Sequence, residues 1–374
     1  MIVRCPGSAR QGQVGPLDAN RALHSWVLQG KINGVDALLV VDSGAAKTSV
    51  QEGTLAAGPD RTINVVVGSI EKSLTASVDS YQALQAIEGS LPKAITRHCK
   101  AICLLGMNFL SGLAIGFDLS TDRVTFWPGG KLDANWSERW VASSGSPVSL
   151  DLDTLDGIWE GTKVSIGDKS SRAIIDTGAF PSFFLSKALT EGSSRVIGPS
   201  NASTATELGP MSRRLALMAR IGDTEVPWLN FVSIGGGSLA SYGIDGGISI
   251  DAFRSPRILV DFAARKLYYE RANQQCSLSR ALSDLTSLPL VLKRDEICIG
   301  PAKAIQRLMP YDGAQVRSIC GINADRIIRA LRTQNGASLG QLSDLARLAS
   351  AKFSIVASTK KGFETIPIEV DPRH

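Results

Sequence analysis

Two short stretches hold the residue types for acid–base chemistry: Asp42-Ser43-Gly44-Ala45 and Asp176-Thr177-Gly178-Ala179, 134 positions apart. One such stretch is a weak signal, because an aspartate and a hydroxyl residue before glycine also make an ordinary capped turn. Two copies, each closing an apolar strand, point to a shared site. A carboxylate at the end of a buried strand is costly unless hydrogen-bonded, and two of them about 3 Å apart cannot both ionise. One then keeps a proton while its partner is charged. The charged member can deprotonate a water as it attacks a carbonyl carbon, and the protonated member polarises the carbonyl oxygen. Such a pair titrates as one unit. Gly44 and Gly178 let each loop turn tightly enough for the carboxyls to face each other. The hydroxyls of Ser43 and Thr177 are placed to bond across to the opposite loop.

Other chemistries lack their residues. The chain has three histidines, His24, His98 and His374, and none sits in a nucleophile motif. Its six cysteines (Cys5, Cys99, Cys103, Cys276, Cys298, Cys320) show no CxxC spacing. His98, Cys99 and Cys103 offer three ligands without a fourth, so no metal is expected. There is no GxxxxGK[ST], and Gly235-Gly236-Gly237 lacks the strand–turn–helix setting of a dinucleotide loop. No cofactor is expected, and the carboxylates must carry the reaction.

The elements that position these acids recur. Trp26-Val27-Leu28 leads through Ile32 to Asn33-Gly34, a type I′ hairpin signal, and the return run Ala37-Leu38-Leu39-Val40-Val41 stops at Asp42. Later, Lys163-Val164-Ser165-Ile166, a Gly167-Asp168 turn and Ala173-Ile174-Ile175 stop at Asp176. The distal ends agree too. Ile115-Gly116-Phe117-Asp118 turns into Arg123-Val124-Thr125-Phe126, and Ile258-Leu259-Val260-Asp261 turns into Arg265-Lys266-Leu267-Tyr268-Tyr269. This is a tandem duplication of a small β domain, with Ser143-Ser144-Gly145-Ser146-Pro147 as the linker.

These residues together resemble an aspartic protease of the retropepsin-like type, with its D-[ST]-G-A twice in one chain. Leu104-Leu105-Gly106-Met107-Asn108-Phe109-Leu110 matches the family's second element, two apolar residues and a glycine before a short helix, which supports the active-site loop. The second copy, Gly247-Ile248-Ser249-Ile250-Asp251-Ala252-Phe253, has serine for that glycine. The resemblance covers roughly residues 20–272. It implies a mainly β, bilobed double barrel acting on a peptide or protein substrate. Asp42 and Asp176 would be the catalytic pair, with Ser43, Gly44, Thr177 and Gly178 as loop support. Pepsin-like relatives carry both aspartates in one chain, so a monomer should suffice. They usually have a hydroxyl residue where this chain has Ala45 and Ala179. Without that donor the carboxylate is less stabilised, and the pH optimum is expected to be less acidic. The family's flap falls at residues 63–67, the Gly68-Ser69 turn and Ile70 onward. In the second copy it falls near residues 200–203, where the sequence is polar and shows no hairpin. The alternative is a catalytically silent peptide-binding or scaffold protein with the same fold. Degenerate copies usually lose an aspartate, and both remain.

Residues 285–374 read differently. An apolar pattern over 302–308, Arg326-Ile327-Ile328, an Asn335-Gly336 turn, a helical pattern over 339–348 and strands at 353–357 and 364–370 resemble a PDZ-like domain of the bacterial kind fused to proteases. The layout expected is a tail over 1–20, lobes over 21–130 and 145–272, and this α+β domain over 285–374. Of 374 residues, 44% are hydrophobic and 20% charged, as in an ordinary globular chain. The net charge of +5 lies in residues 285–374, with 13 Lys and Arg against 8 Asp and Glu. No run of like charges marks a nucleic-acid partner. No apolar run reaches the ~18 residues of a membrane span. The start lacks the apolar core of a secretory signal, so the compartment is left open: cytoplasmic by default, with an exported form as the alternative.

Overall fold

The computed structural model describes residues 13–22, 25–51, 60–79, 82–91, 93–142, 145–179, 183–199, 212–234, 242–253, 255–271, 282, 288, 290–300, 308–332, 352–359 and 362–369. Residues 1–12, His24, Ser143-Ser144, residues 200–203, Gly235-Gly236-Gly237, Cys276, 302–307, Asn335-Gly336, 339–348 and His374 carry expectations that lie outside the described residues. The protein is mainly β, as its strand signals predict. It divides into two compact units that interleave along the chain: residues 1–162, 174–180 and 247–271 form one, and 163–173, 181–246 and 272–374 the other. Asp42 and Asp176 both belong to the first unit.

In the first unit, Ser25–Ile32 and Val35–Val41 pair from Trp26↔Val41 to Ile32↔Val35. Asn33 and Gly34 take φ of 50° and 81° between them, the left-handed pair that a type I′ turn demands. Val35–Val41 lies between that strand and the parallel strand Ala101–Leu105, so residues 37–41 are buried without alternation. Ser49–Gln51, Ile70–Asp79 and Arg61–Val67 continue the sheet. Arg61–Val67 returns to Ser25–Ile32 through Lys31↔Val66 and Ile32↔Val65, closing it into a small barrel.

A second, antiparallel sheet of this unit joins the two copies. Its order is Val14–Asp18, Arg123–Pro128, Leu113–Asp118, Arg257–Asp261, Lys266–Arg271, Ser146–Asp151, three strands from each copy. The two middle strands pair about Leu259↔Gly116. The Trp26 ring packs at a tilt of 54° against Phe117 from this sheet, 5.2 Å between ring centroids. The helix Ala134–Val141 packs on Ala114, Trp127, Leu259 and Tyr268, its first turn capped by the Asp133 carboxylate on the Trp136 N–H.

The second unit is built on a long hairpin, Ser212–Ile221 with Thr224–Ile234, turning at Gly222-Asp223. Phe183–Ser186 joins it in parallel, and Val164↔Ile221 ties it to the strand Trp159–Ile166, which crosses from the first unit. Residues 290–369 add strands in the order Leu290–Lys293, Glu296–Ile299, Gln315–Ile319, Lys352–Thr359, Gly362–Glu369, with the helix Ala324–Arg332 packed on them. Leu215 of the long hairpin is buried in the same core as Leu282, Leu290, Ile319 and Leu331.

Two expectations about a flap change. The hairpin at residues 61–79 forms, but its tip is engaged with the joining sheet. A side chain at Gly68 would strike Val14, and Lys72 donates to the carbonyls of Phe109 and Ser111. A lid must lift, and this tip is packed. The hairpin equivalent to it in the second copy is not near residues 200–203. Pairings Ser165↔Arg220 and Ile166↔Ala219 match Lys31↔Val66 and Ile32↔Val65, which identifies Ser212–Ile221 with Thr224–Ile234. The second copy is about 20 residues longer before this hairpin, and that length hid the correspondence.

Candidate active site

Each aspartate is set by the same three-strand device. Asp42 ends Val35–Val41 and its N–H donates to Leu105 O at 3.1 Å. Asp176 ends Lys169–Ile175 and its N–H donates to Ile248 O at 2.9 Å. Beyond Leu105, Gly106 passes under the Asp42 loop so closely that a Cβ would meet Lys47 C and O and Ala45 O at 2.5, 2.6 and 2.8 Å. Asn108 Oδ1 accepts from the Thr48 N–H (2.8 Å) and Oγ1 (2.7 Å), and its Nδ2 donates to Thr75 O. Ser249, the serine in the equivalent place of the second copy, is buried there, with the Ala252 N–H on its carbonyl at 3.0 Å. The serine is accommodated, and the second loop keeps its support.

The two loops interlock. The Ser43 N–H donates to Thr177 Oγ1 and the Thr177 N–H to Ser43 Oγ, each at 3.0 Å. The hydroxyls pass on to the other copy's strand, Ser43 Oγ to Ile175 O (2.6 Å) and Thr177 Oγ1 to Val41 O (3.0 Å). All four bonds link one copy to the other, and all four residues' polar groups are satisfied.

Asp42 and Asp176 are hydrogen-bonded to each other through their side chains. Each carboxyl rests on the glycine of the other's loop. A Cβ at Gly44 would lie under 3.0 Å from the Asp176 carboxyl, and one at Gly178 under 3.0 Å from that of Asp42. Only glycine at both positions lets the two acids approach. Burial pushes both carboxyls above the usual carboxylate range. Asp176 goes much further, since the neighbouring Asp42 charge adds to its burial. Asp42 Oδ1 accepts the backbone N–H groups of Gly44 (2.9 Å) and Ala45 (3.2 Å), which favour its anion. Asp176 accepts the Gly178 N–H (3.0 Å) and the Ala179 N–H in the same way, so the two loops offer both anions the same backbone donors.

The structure therefore brings together all six residues singled out from the sequence: Asp42, Ser43, Gly44, Asp176, Thr177 and Gly178. It adds two that were missed. Ser25 Oγ donates to Gly178 O (3.4 Å), and Trp159 Nε1 donates to Gly44 O (2.9 Å). Both begin the strand before the aspartate strand, and each lies 17 residues ahead of its own aspartate. That equal spacing was the available signal. Serine and tryptophan share no chemistry that a sequence pattern would group. Among the described residues no three of His, Cys, Asp and Glu gather as metal ligands, and no helix is long and apolar enough to cross a membrane.

No family model matches the chain, and no curated protein matches it. Among solved structures it is similar to an aspartic proteinase from Irpex lacteus, at 14% sequence identity and a TM-score of 0.41, over 70% of this chain and 98% of that one.

Proposed function

We propose that the chain is an aspartic endopeptidase in which Asp42 and Asp176 hydrolyse a peptide bond. The observation that supports this reading is the shared hydrogen bond between the half-buried Asp42 carboxyl and the buried Asp176 carboxyl, each seated on the other loop's glycine. The Asp42 carboxylate takes a proton from water as its oxygen bonds to the scissile carbonyl carbon. Asp176 gives its proton to the carbonyl oxygen, leaving a neutral tetrahedral diol. Asp42 then protonates the amide nitrogen while Asp176 recovers the hydroxyl proton. The C–N bond breaks, and the dyad returns to its starting charge. No metal or cofactor takes part in these steps.

The same proposal makes the protein active as a monomer on a peptide or protein substrate. Residues 21–130 and 145–272 serve as its two lobes and 285–374 as a PDZ-like domain. Asp42→Asn and Asp176→Asn should each lower kcat/KM on a peptide library by about 10³-fold or more, with the fold intact by circular dichroism. Unchanged cleavage in either variant removes the reading in favour of a silent binding protein. The pH–rate profile should be bell-shaped. Ala45 and Ala179 supply no hydroxyl to the acids, so its maximum should be less acidic than in pepsin-like enzymes.

A further inference from the structure

The donors Ser25 and Trp159 do more than hold a loop. The Gly44 carbonyl that accepts from Trp159 Nε1 belongs to the same peptide group as the Ala45 N–H, and that N–H donates to Asp42 Oδ1 at 3.2 Å. The path indole N–H, Gly44 C=O, Ala45 N–H, Asp42 carboxylate is therefore continuous through one peptide. The second copy repeats it more weakly. Ser25 Oγ is 3.4 Å from Gly178 O, and the Ala179 N–H on the far side of that peptide is bonded to Asp176. A hydrogen bond to a peptide oxygen polarises the group and strengthens the donor at its other end.

We propose that Trp159 is a positioning residue that, acting through the Gly44–Ala45 peptide, fixes the negative charge of the dyad on Asp42 and leaves the proton on Asp176. The two copies share their loop sequence up to Ser for Thr, so the loops alone do not choose which acid is charged. The outer donors do differ. Trp159 is a rigid, buried indole at 2.9 Å and Ser25 a single hydroxyl at 3.4 Å. Each acid accepts two backbone N–H bonds, Asp42 from Gly44 and Ala45 and Asp176 from Gly178 and Ala179, so the asymmetry lies in the outer donors.

Other charges near the site do not account for the choice. Lys47 on the Asp42 loop is paired with Asp60. Glu160, beside Trp159, is bonded by Thr154 and faces Arg265 and Asp153. Asp251 is buried on the turn behind the Asp176 loop. Among the described residues, the only charged side chain acting on either acid is the other acid.

This inference rests on the proposed catalytic pair, and its test separates the two. In the full-length protein, Trp159→Phe removes the N–H and keeps a ring. Benzothienylalanine at 159 removes it while keeping the indole shape, which guards against a packing defect. Both should move the acid limb of the pH–kcat/KM profile upward by roughly 0.3–0.5 pH unit and leave the alkaline limb in place. Ser25→Ala should move the alkaline limb upward by less. The same shifts should appear in the ¹³Cγ titration of the dyad aspartates by NMR, which needs no turnover. Limbs and titrations that stay fixed in the folded benzothienylalanine protein overturn the inference, even if cleavage persists. Shifted titrations in a protein that cleaves nothing uphold it and reject the protease.

Discussion

Two carboxyls withdrawn from water and set against each other make the active loops a pH-dependent burden on the fold. Asp176 is raised from an unfolded value of 3.8, and Asp42 is raised as well. The folded protein therefore holds more protons than the unfolded chain above that pH. Stability from this pair is fully present below pH 3.8 and is lost as pH rises through the folded-state titration. Asn at 176 is neutral at every pH and imitates the protonated acid. The Asp176→Asn variant should thus be more stable than the wild type at neutral pH, by on the order of 2–4 °C in Tm for each kcal/mol relieved. The difference should vanish below pH 3.8 in denaturation series at both pH values. Equal Tm at neutral pH would mean that the pair carries no net charge penalty.

The strands and turns behind each loop act through backbone contacts, and the two copies meet that demand differently. Gly106 has backbone atoms of Lys47 and Ala45 where a Cβ would sit, and backbone cannot swing aside as a long side chain can. Ser249, in the matching place, is buried with its side chain already accommodated. Gly106→Ser should cost about 3 kcal/mol or more and disorder the Asp42 loop. Ser249→Gly should cost only about 0.5–1 kcal/mol. Urea unfolding of the two variants checks this asymmetry, and equal costs would contradict it. Asp261 is another element-level support. It is fully buried and its carboxylate caps the N–H groups of Lys131, Leu132 and Ala264, fastening the joining sheet to the segment after Arg123–Pro128.

At the scale of the whole molecule, the C-terminal strands share a core with the second copy. Leu215 lies in the hairpin Ser212–Ile221, yet it is buried among Leu282, Leu290 and Leu331. Ending the chain after Arg271 uncovers it. The exposure of Leu215 alone should cost about 2 kcal/mol. The truncated protein should lose protection of the hairpin amides in hydrogen exchange, whereas the amides of Val35–Val41 stay protected. Unchanged protection in the hairpin would make residues 285–374 a separable module.

Much of this was written in local order. The hairpin at Asn33-Gly34, the buried run into Asp42, the second run into Asp176 and the paired distal strands depend on spacing and turn chemistry, which a chain carries in one dimension. Glycine at 44 and 178 was legible as a need for tight turns. Its actual purpose, room for the opposite acid, became visible only when the two loops met. Ser25 and Trp159 were not legible, because a donor is defined by where its hydrogen points and not by its type. The second copy's hairpin was misplaced, because added residues between conserved pairings shift position without altering register. Sequence by itself determined two acids on equivalent strand ends. Tertiary structure decided how each of them is surrounded, since that depends on burial and on donors that lie 115 and 153 residues away along the chain from the glycines they hold.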